Sequence, residues 1–311
     1  MKRACCILSL VVFYLTAAAQ TSIILDADTG NEMDDLYAIA GSVLDKELEI
    51  EVLISAHFNN VQLLTDSMWH IYPTKNINTL QISQEINENL LQVLGRTNIP
   101  HPTGSDRMVG YAWGYYPGAP IPESEGVDLI IDRARKATPD QKLNVVCLGA
   151  VTNVAAAILL DTSISKNMRL YALTMRYDLS TGAWDKNSFN ARNDINGLDI
   201  VLNDTDLEVY IMPGNVARSL TFLREKSIEK LNAIDHPIAE ILKKRWDEVS
   251  AGNTWIMWDL ALTEVIANPS LGKIEWRTAP PENTKRSIGV YTEIDAPRIE
   301  KRFWKKLSGL N

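Results

Sequence analysis

Cysteine is nearly absent from this chain. Of its 311 residues three are cysteine, and two of them, Cys5 and Cys6, lie inside an apolar N-terminal run. With that run removed only Cys147 remains, which excludes an intramolecular disulfide. Basic charge is scarce as well: 31 Lys and Arg against 39 Asp and Glu leave a net charge of −8 with no long basic run. That balance excludes a nucleic-acid-binding surface and points to a small substrate that is not a polyanion. Histidine is rare, and His57, His70, His101 and His236 show none of the spacings of a metal site. Repeats, low-complexity tracts and flexible linkers are missing. After the N-terminal run, no stretch reaches the ~20 apolar residues of a membrane span. What is present is 46% hydrophobic content, ample for the core of one α/β unit of this length.

The N-terminal run has the layout of a secretory signal. Lys2 and Arg3 precede an apolar segment over 4–19, and Ala17-Ala18-Ala19 supplies a small-residue cleavage site before Gln20. The reading is therefore a signal peptide over 1–20 and a single mature domain over 21–311. No cysteine follows the cleavage site, so lipid attachment is excluded. A secreted, disulfide-free protein with a short signal of this style fits a bacterial periplasm, with no membrane attachment after processing.

Apolar strand-like segments at 23–25, 50–55, 143–148, 170–175 and 208–212 alternate with amphipathic segments at 35–44, 61–71, 152–160 and 194–202, followed by a helical C-terminal third. This alternation predicts an α/β fold with an open, mostly parallel sheet and helices on both faces. An edge hairpin is expected over 273–291, a helix over 296–307 and another over 253–266. The Pro- and Gly-rich segment 100–122 carries Tyr111, Trp113, Tyr115 and Tyr116, too aromatic for a linker, and reads as an ordered surface loop or lid.

The chemistry concentrates in one short run. Asp26, Asp28, Asp34 and Asp35 fall within ten residues, in Asp26-Ala27-Asp28-Thr29-Gly30-Asn31-Glu32-Met33-Asp34-Asp35. Acidic residues in a first helical turn are favoured by the helix dipole, so capping alone accounts for Asp34 and Asp35. It does not account for Asp26 and Asp28, which stand where the first strand ends, the place where ligands gather in open α/β sheets. Four anions that close repel unless a cation neutralises them, and an all-oxygen set selects a hard ion.

This run resembles the Asp-x-Asp-x-Gly-x-Asp-Asp signature of the inosine-uridine-preferring nucleoside hydrolases, with two extra residues between the glycine and the Asp pair. Further matches follow in order: Gly95-Arg96-Thr97-Asn98-Ile99-Pro100, Val127-Asp128-Leu129-Ile130-Ile131, Leu148-Gly149-Ala150-Val151-Thr152-Asn153, Asn187-Ser188-Phe189-Asn190 and Trp258-Asp259. The resemblance spans most of the mature chain. It implies a Rossmann-like fold and metal-dependent hydrolysis of the N-glycosidic bond of ribonucleosides or related ribosides. It implies Ca²⁺, with Mg²⁺ as the alternative, held by Asp28, Asp35, Asp259 and the backbone carbonyl of Leu148. By the same carry-over Asp28 is the general base, Asp26 supports it, Asp34 accepts from a ribose hydroxyl, and Asn190 with Asn59 or Asn60 binds the sugar. Vicinal hydroxyls chelate such an ion, so ribosides are favoured over 2′-deoxyribosides. The implied partner is a small nucleoside or riboside, and a homo-oligomer is compatible with it.

Two positions depart from the family pattern. Trp258 replaces a histidine and Ser188 replaces a glutamate. Trp258, together with Trp255 and Trp184, either stacks on a base or packs in the core. Asn187 or Asp185 is a substitute for the missing glutamate, and His57 is the histidine placed to approach the site. Arg176 stands where the family commonly has glycine; it either admits a negatively charged substituent or pairs with an acidic neighbour. Two other readings compete: a haloacid-dehalogenase-like phosphatase built on Asp26 and Asp28, and a non-catalytic periplasmic protein that binds a ribosyl ligand.

Overall fold

A computed structural model describes residues 20–58 and 77–310. Eleven strands and eleven α-helices are found among the described residues. In chain order these begin β1 Thr21–Ala27, α1 Asp34–Val43, β2 Leu48–Ser55, α2 Thr79–Val93, α3 Glu125–Lys136, β3 Leu143–Cys147, α4 Thr152–Leu160 and β4 Met168–Leu173. A short ribbon, β5 Arg176–Tyr177 and β6 Trp184–Asp185, leads to α5 Phe189–Asn193, α6 Ile195–Asn203, β7 Glu208–Met212 and α7 Gly214–Ala217. The chain ends with β8 Thr221–Leu223, α8 Arg224–Asn232, α9 Pro237–Glu248, β9 Thr254–Ile256, α10 Trp258–Ala267, β10 Gly272–Thr278, β11 Ser287–Ile294 and α11 Ala296–Ser308. None of the described helices is long and apolar enough to cross a membrane.

Seven strands form the central sheet in the order β10-β11-β7-β4-β3-β1-β2. Only the β10–β11 pair is antiparallel; every other pair in this sheet is parallel. Side chains alternate between faces along each strand. Ile23 and Leu25 therefore join one core, with α1, α10 and α11, while Ile24 joins the other, with α3, α4 and α6. Both faces are covered, as parallel sheets require.

The topology decides where a site can form. β1 pairs with β2 on one side and with β3 on the other, with Asp26 opposite Cys147. The connections leaving β1 and β3 diverge, so a crevice opens beyond their carboxyl ends. Asp28 follows β1 and Leu148 follows β3, which places them side by side at this switch point. The helices α1 and α10 pack together beside it. Gly41 permits that approach, since a Cβ there would lie 3.2 Å from Leu260 Cδ1 and 3.3 Å from Phe303.

The expected strands and helices are found among the described residues, with two differences. The segment 253–266 is not one helix: Thr254–Ile256 pairs antiparallel with Thr221–Leu223, and α10 starts at Trp258. Thr, Trp and Ile favour a strand, and Met257 N–H donates to Leu220 O, which holds the chain extended up to the helix. The C-terminal hairpin is more than an edge, because β11 also pairs in parallel with β7. The segment 100–122 forms no helix or regular strand; Tyr111 stacks on Trp113 and Tyr116 there. The helix expected over 61–71 lies outside the described residues, as do Asn59, Asn60 and His70.

Candidate active site

A cavity of about 370 Å³ opens at the switch point. Asp28, Glu32, Asp34, Asp35 and Asp259 all line it, so five carboxylates share one hollow. Asp34 and Asp35 occupy the first turn of α1 and Asp259 the first turn of α10. Two helix N-termini thus direct positive dipole ends at the acids. Neither N-cap residue, Met33 or Met257, makes a side-chain cap hydrogen bond.

One carboxylate oxygen each from Asp34, Asp35 and Asp259 lies within 4.8 Å of the others. Asp35 Oδ1 is buried and has no hydrogen-bond partner. Burial, then the charges of Asp28 and Asp34, push the Asp35 carboxyl well above the usual carboxylate range. Asp28 is raised by burial and then by Glu32, and Asp259 by burial and then by Asp35 and Asp34. A buried carboxylate without a donor is expensive, and a hard cation is the ligand that relieves it. The donor set, all oxygen and all anionic, fits a divalent ion of that kind.

The residues named from sequence take distinct places. Asp26 is fully buried; both its oxygens accept from Asn153 Nδ2, at 3.0 and 3.1 Å, and Cys147 Sγ lies 3.7 Å away. Burial lifts its pKa to about 7 against these hydrogen bonds. Asn153 Oδ1 in turn accepts from Ser105 N–H at 2.7 Å, so Asp26 sits behind the cavity as a support. Asp34 accepts from the Asp259 N–H at 3.0 Å and from Trp255 Nε1–H at 3.4 Å. In this structure it is tied to protein donors and joins α1 to α10. Asn190 lines the cavity, and its Nδ2 donates to the carbonyls of Leu148 and Leu173, the latter at 2.9 Å. That arrangement leaves Asn190 Oδ1 as its acceptor and puts one donor already on the Leu148 carbonyl. Gly149 is needed beside it: a Cβ there would lie 2.7 Å from Asp28 Cγ and Oδ1.

The family model for "Inosine-uridine preferring nucleoside hydrolase" matches residues 23–298. The chain belongs to this family. It is therefore a hydrolase of N-glycosyl bonds, and the phosphatase reading falls away. Solved structures share its fold. A plant nucleoside hydrolase is 16% identical, with 92% of this chain and 98% of that one covered and a TM-score of 0.68. A purine-preferring ribonucleoside hydrolase from Gardnerella vaginalis is 18% identical, with 93% and 99% covered and a TM-score of 0.68. An inosine-uridine preferring nucleoside hydrolase from Bacillus anthracis is 12% identical, with 93% and 100% covered and a TM-score of 0.67. No curated protein matches the sequence significantly.

Where this hydrolase departs from the family pattern, the structure sorts the candidates. Trp258 lines the cavity, whereas Trp255 is engaged with Asp34 and Trp184 packs on Tyr177 and donates to Thr278 O. Ser188 lines the cavity and its Oγ accepts from Met175 N–H at 2.9 Å. Asn187 and Asp185 do not line it; Asp185 pairs with Arg176 at 3.2 Å. His57 does not reach the cavity either. It is fully buried with its Nε2 2.9 Å from Thr152 Oγ1 at the start of α4. His101 contacts Leu53 O, and His236 caps α9 by accepting from Ile238 N–H.

Sequence reasoning passed over Asn31, Glu32, Thr174, Arg218 and Arg245. Asn31 and Glu32 belong to the two-residue insertion, which was the available signal. Arg245 on α9 is 2% exposed and donates to the carbonyls of Thr29, Gly30 and Glu32 at 2.9 to 3.2 Å. From more than two hundred residues away in the chain it fixes the acidic loop, and nothing in the local pattern announces it.

Proposed function

We propose that the protein is a divalent-metal-dependent ribohydrolase that cleaves ribonucleosides or related ribosides into free base and ribose, with Ca²⁺ as the preferred ion and Mg²⁺ as the alternative. The observation that carries this reading is the unpartnered, buried Asp35 Oδ1 beside Asp34 and Asp259 on the floor of the cavity. Asp35 and Asp259, whose oxygens lie together with one of Asp34, are the groups that would hold the ion, with Asp28 and the Leu148 carbonyl, which line the same cavity, completing the set. When bound, it supplies a Lewis-acidic centre for vicinal sugar hydroxyls and for water.

The chain's own residues do the rest. Asp28 takes a proton from the water that attacks C1′ while the bond from C1′ to the base nitrogen breaks; the bonding pair leaves on that nitrogen, which takes a proton from solvent. The clustered carboxylates stabilise the positive charge that develops on the sugar ring. Asn190 Oδ1, oriented by two carbonyls, accepts from a sugar hydroxyl, as does Asp34 with its remaining acceptor capacity. Asn59 or Asn60 adds a second amide. Trp258 offers an aromatic face to the departing base. Asp26 holds Asn153 and the end of β1 in place. Export to a bacterial periplasm, read from residues 1–20, accords with a chain whose one cysteine among the described residues is free and buried.

The test is release of base and reducing sugar from ribonucleosides and their 2′-deoxy counterparts, with and without a chelator. Chelator-sensitive turnover of ribosides alone is expected. Equal rates on deoxy substrates would refute diol chelation. Asp28→Asn separates enzyme from silent binder: turnover is lost while riboside binding persists. An unmutated protein that binds ribosides without hydrolysing any supports the binder.

A further inference from the structure

The same cavity carries a second chemical character. Beside its carboxylates it is lined by two arginines, Arg176 and Arg218. They come from segments locked to each other: Gly214 N–H donates to Met175 O at 2.9 Å, Tyr177 N–H donates to Asn215 Oδ1 at 3.0 Å, and Asn215 Nδ2 donates to Tyr177 O at 2.9 Å. Arg218 follows one turn after Gly214 and its side chain meets no hydrogen-bond or ion-pair partner among the described residues. Arg176 pairs only with Asp185, and both side chains are about half exposed, so the pair contributes little and can be exchanged for another anion. Two further features of this wall favour a ligand. Thr174 lines it with a buried Oγ1 that has no partner, and Met175 is held at φ 58°, a left-handed conformation that costs on the order of 1–3 kcal/mol in a non-glycine residue and recurs at ligand sites.

We propose that Arg176 and Arg218 form an anion-recognising rim and that this enzyme's preferred substrates are ribosides bearing an oxyanion, either a phosphate on the sugar or a carboxylate on the base. The proposal rests on the ribohydrolase reading and narrows its substrate class. An anionic group brought into a hollow with five carboxylates is repelled unless cations meet it, and planar guanidinium groups meet phosphate and carboxylate oxygens in pairs. A neutral nucleoside leaves Arg218 without a counterion. An anionic riboside satisfies the acidic floor through its diol and the basic rim through its charge.

The experiment compares kcat/KM for uridine, uridine 5′-monophosphate and orotidine in the full mature protein with Ca²⁺, then repeats it for Arg218→Gln and Arg176→Gln. Wild type is expected to prefer at least one of the two anionic substrates over uridine by about tenfold or more, and each substitution to erase most of that ratio. The substrate that wins identifies whether phosphate or carboxylate is read. A wild-type ratio near one, or a ratio that both substitutions leave intact, overturns the proposal while the ribohydrolase reading stands. Absence of turnover on every riboside counts against that reading instead. Calorimetric titration with ribose 5-phosphate and ribose then tests the phosphate source directly: phosphate-dependent affinity lost in Arg218→Gln supports the rim, and equal affinities together with no preference for orotidine refute it.

Discussion

Replacing Asp35 by Asn should stabilise the metal-free protein and make it indifferent to the ion it was built to hold. Asp35 lies within 4.8 Å of carboxylate oxygens on Asp34 and Asp259, and one of its own oxygens has no donor. Two unit charges at that separation repel by about 3.5 kcal/mol at an effective dielectric of 20. Burial and neighbouring charge raise these carboxyls, so proton uptake relieves part of the repulsion. The gain left for Asp35→Asn at pH 8 is then about 1–3 kcal/mol, or a rise of a few degrees in Tm for a chain of this size. At pH 5 the difference should shrink, because carboxyls raised above their usual range take up protons as the pH falls. Millimolar Ca²⁺ should reverse the order: wild type gains stability by mass action and the variant does not. Thermal melts with chelator and with Ca²⁺, at both pH values, measure all four quantities. A variant less stable than wild type in chelator at pH 8, or an equal response of both proteins to Ca²⁺, would refute the argument that these carboxylates are held for a cation.

Arg245→Met should destabilise the fold by about 3–5 kcal/mol, since it removes a buried charge from several carbonyl partners, and urea melts should show it together with a loss of kcat. Gly149→Ala should lower kcat/KM by about a hundredfold while shifting Tm by only a few degrees, because the new Cβ would lie 2.7 Å from the Asp28 carboxyl and displace it. Asp26 ionises near 3.8 when unfolded and at about 7 when folded, so the native state holds the extra proton between those values. Asp26 should therefore contribute a fall in stability in chelator as pH rises through that window, by up to about 4 kcal/mol, and Asp26→Asn should remove that part of the slope measured by urea midpoints at pH 4 and pH 8.

The sequence by itself determined the α/β alternation, because strand and helix periods are local properties of the chain. It also marked the acidic run at the end of β1, since four carboxylates within ten residues are anomalous wherever they fold. The Leu148-Gly149 turn and Asn190 were legible through resemblance, as was Asp259. Tertiary structure alone decided the rest. The β1–β3 switch point brought residues 28 and 148 together, and the packing of α1 on α10 across Gly41 brought Asp35 to Asp259. Contact with Thr152 at the start of α4 kept His57 away from the site, and pairing with β8 turned residues 254–256 into a strand. Arg245 reached the acidic loop, and Arg218 reached the cavity, from distant helices. Such contacts depend on which faces meet after the chain has closed on itself, and no local pattern of residues encodes that choice.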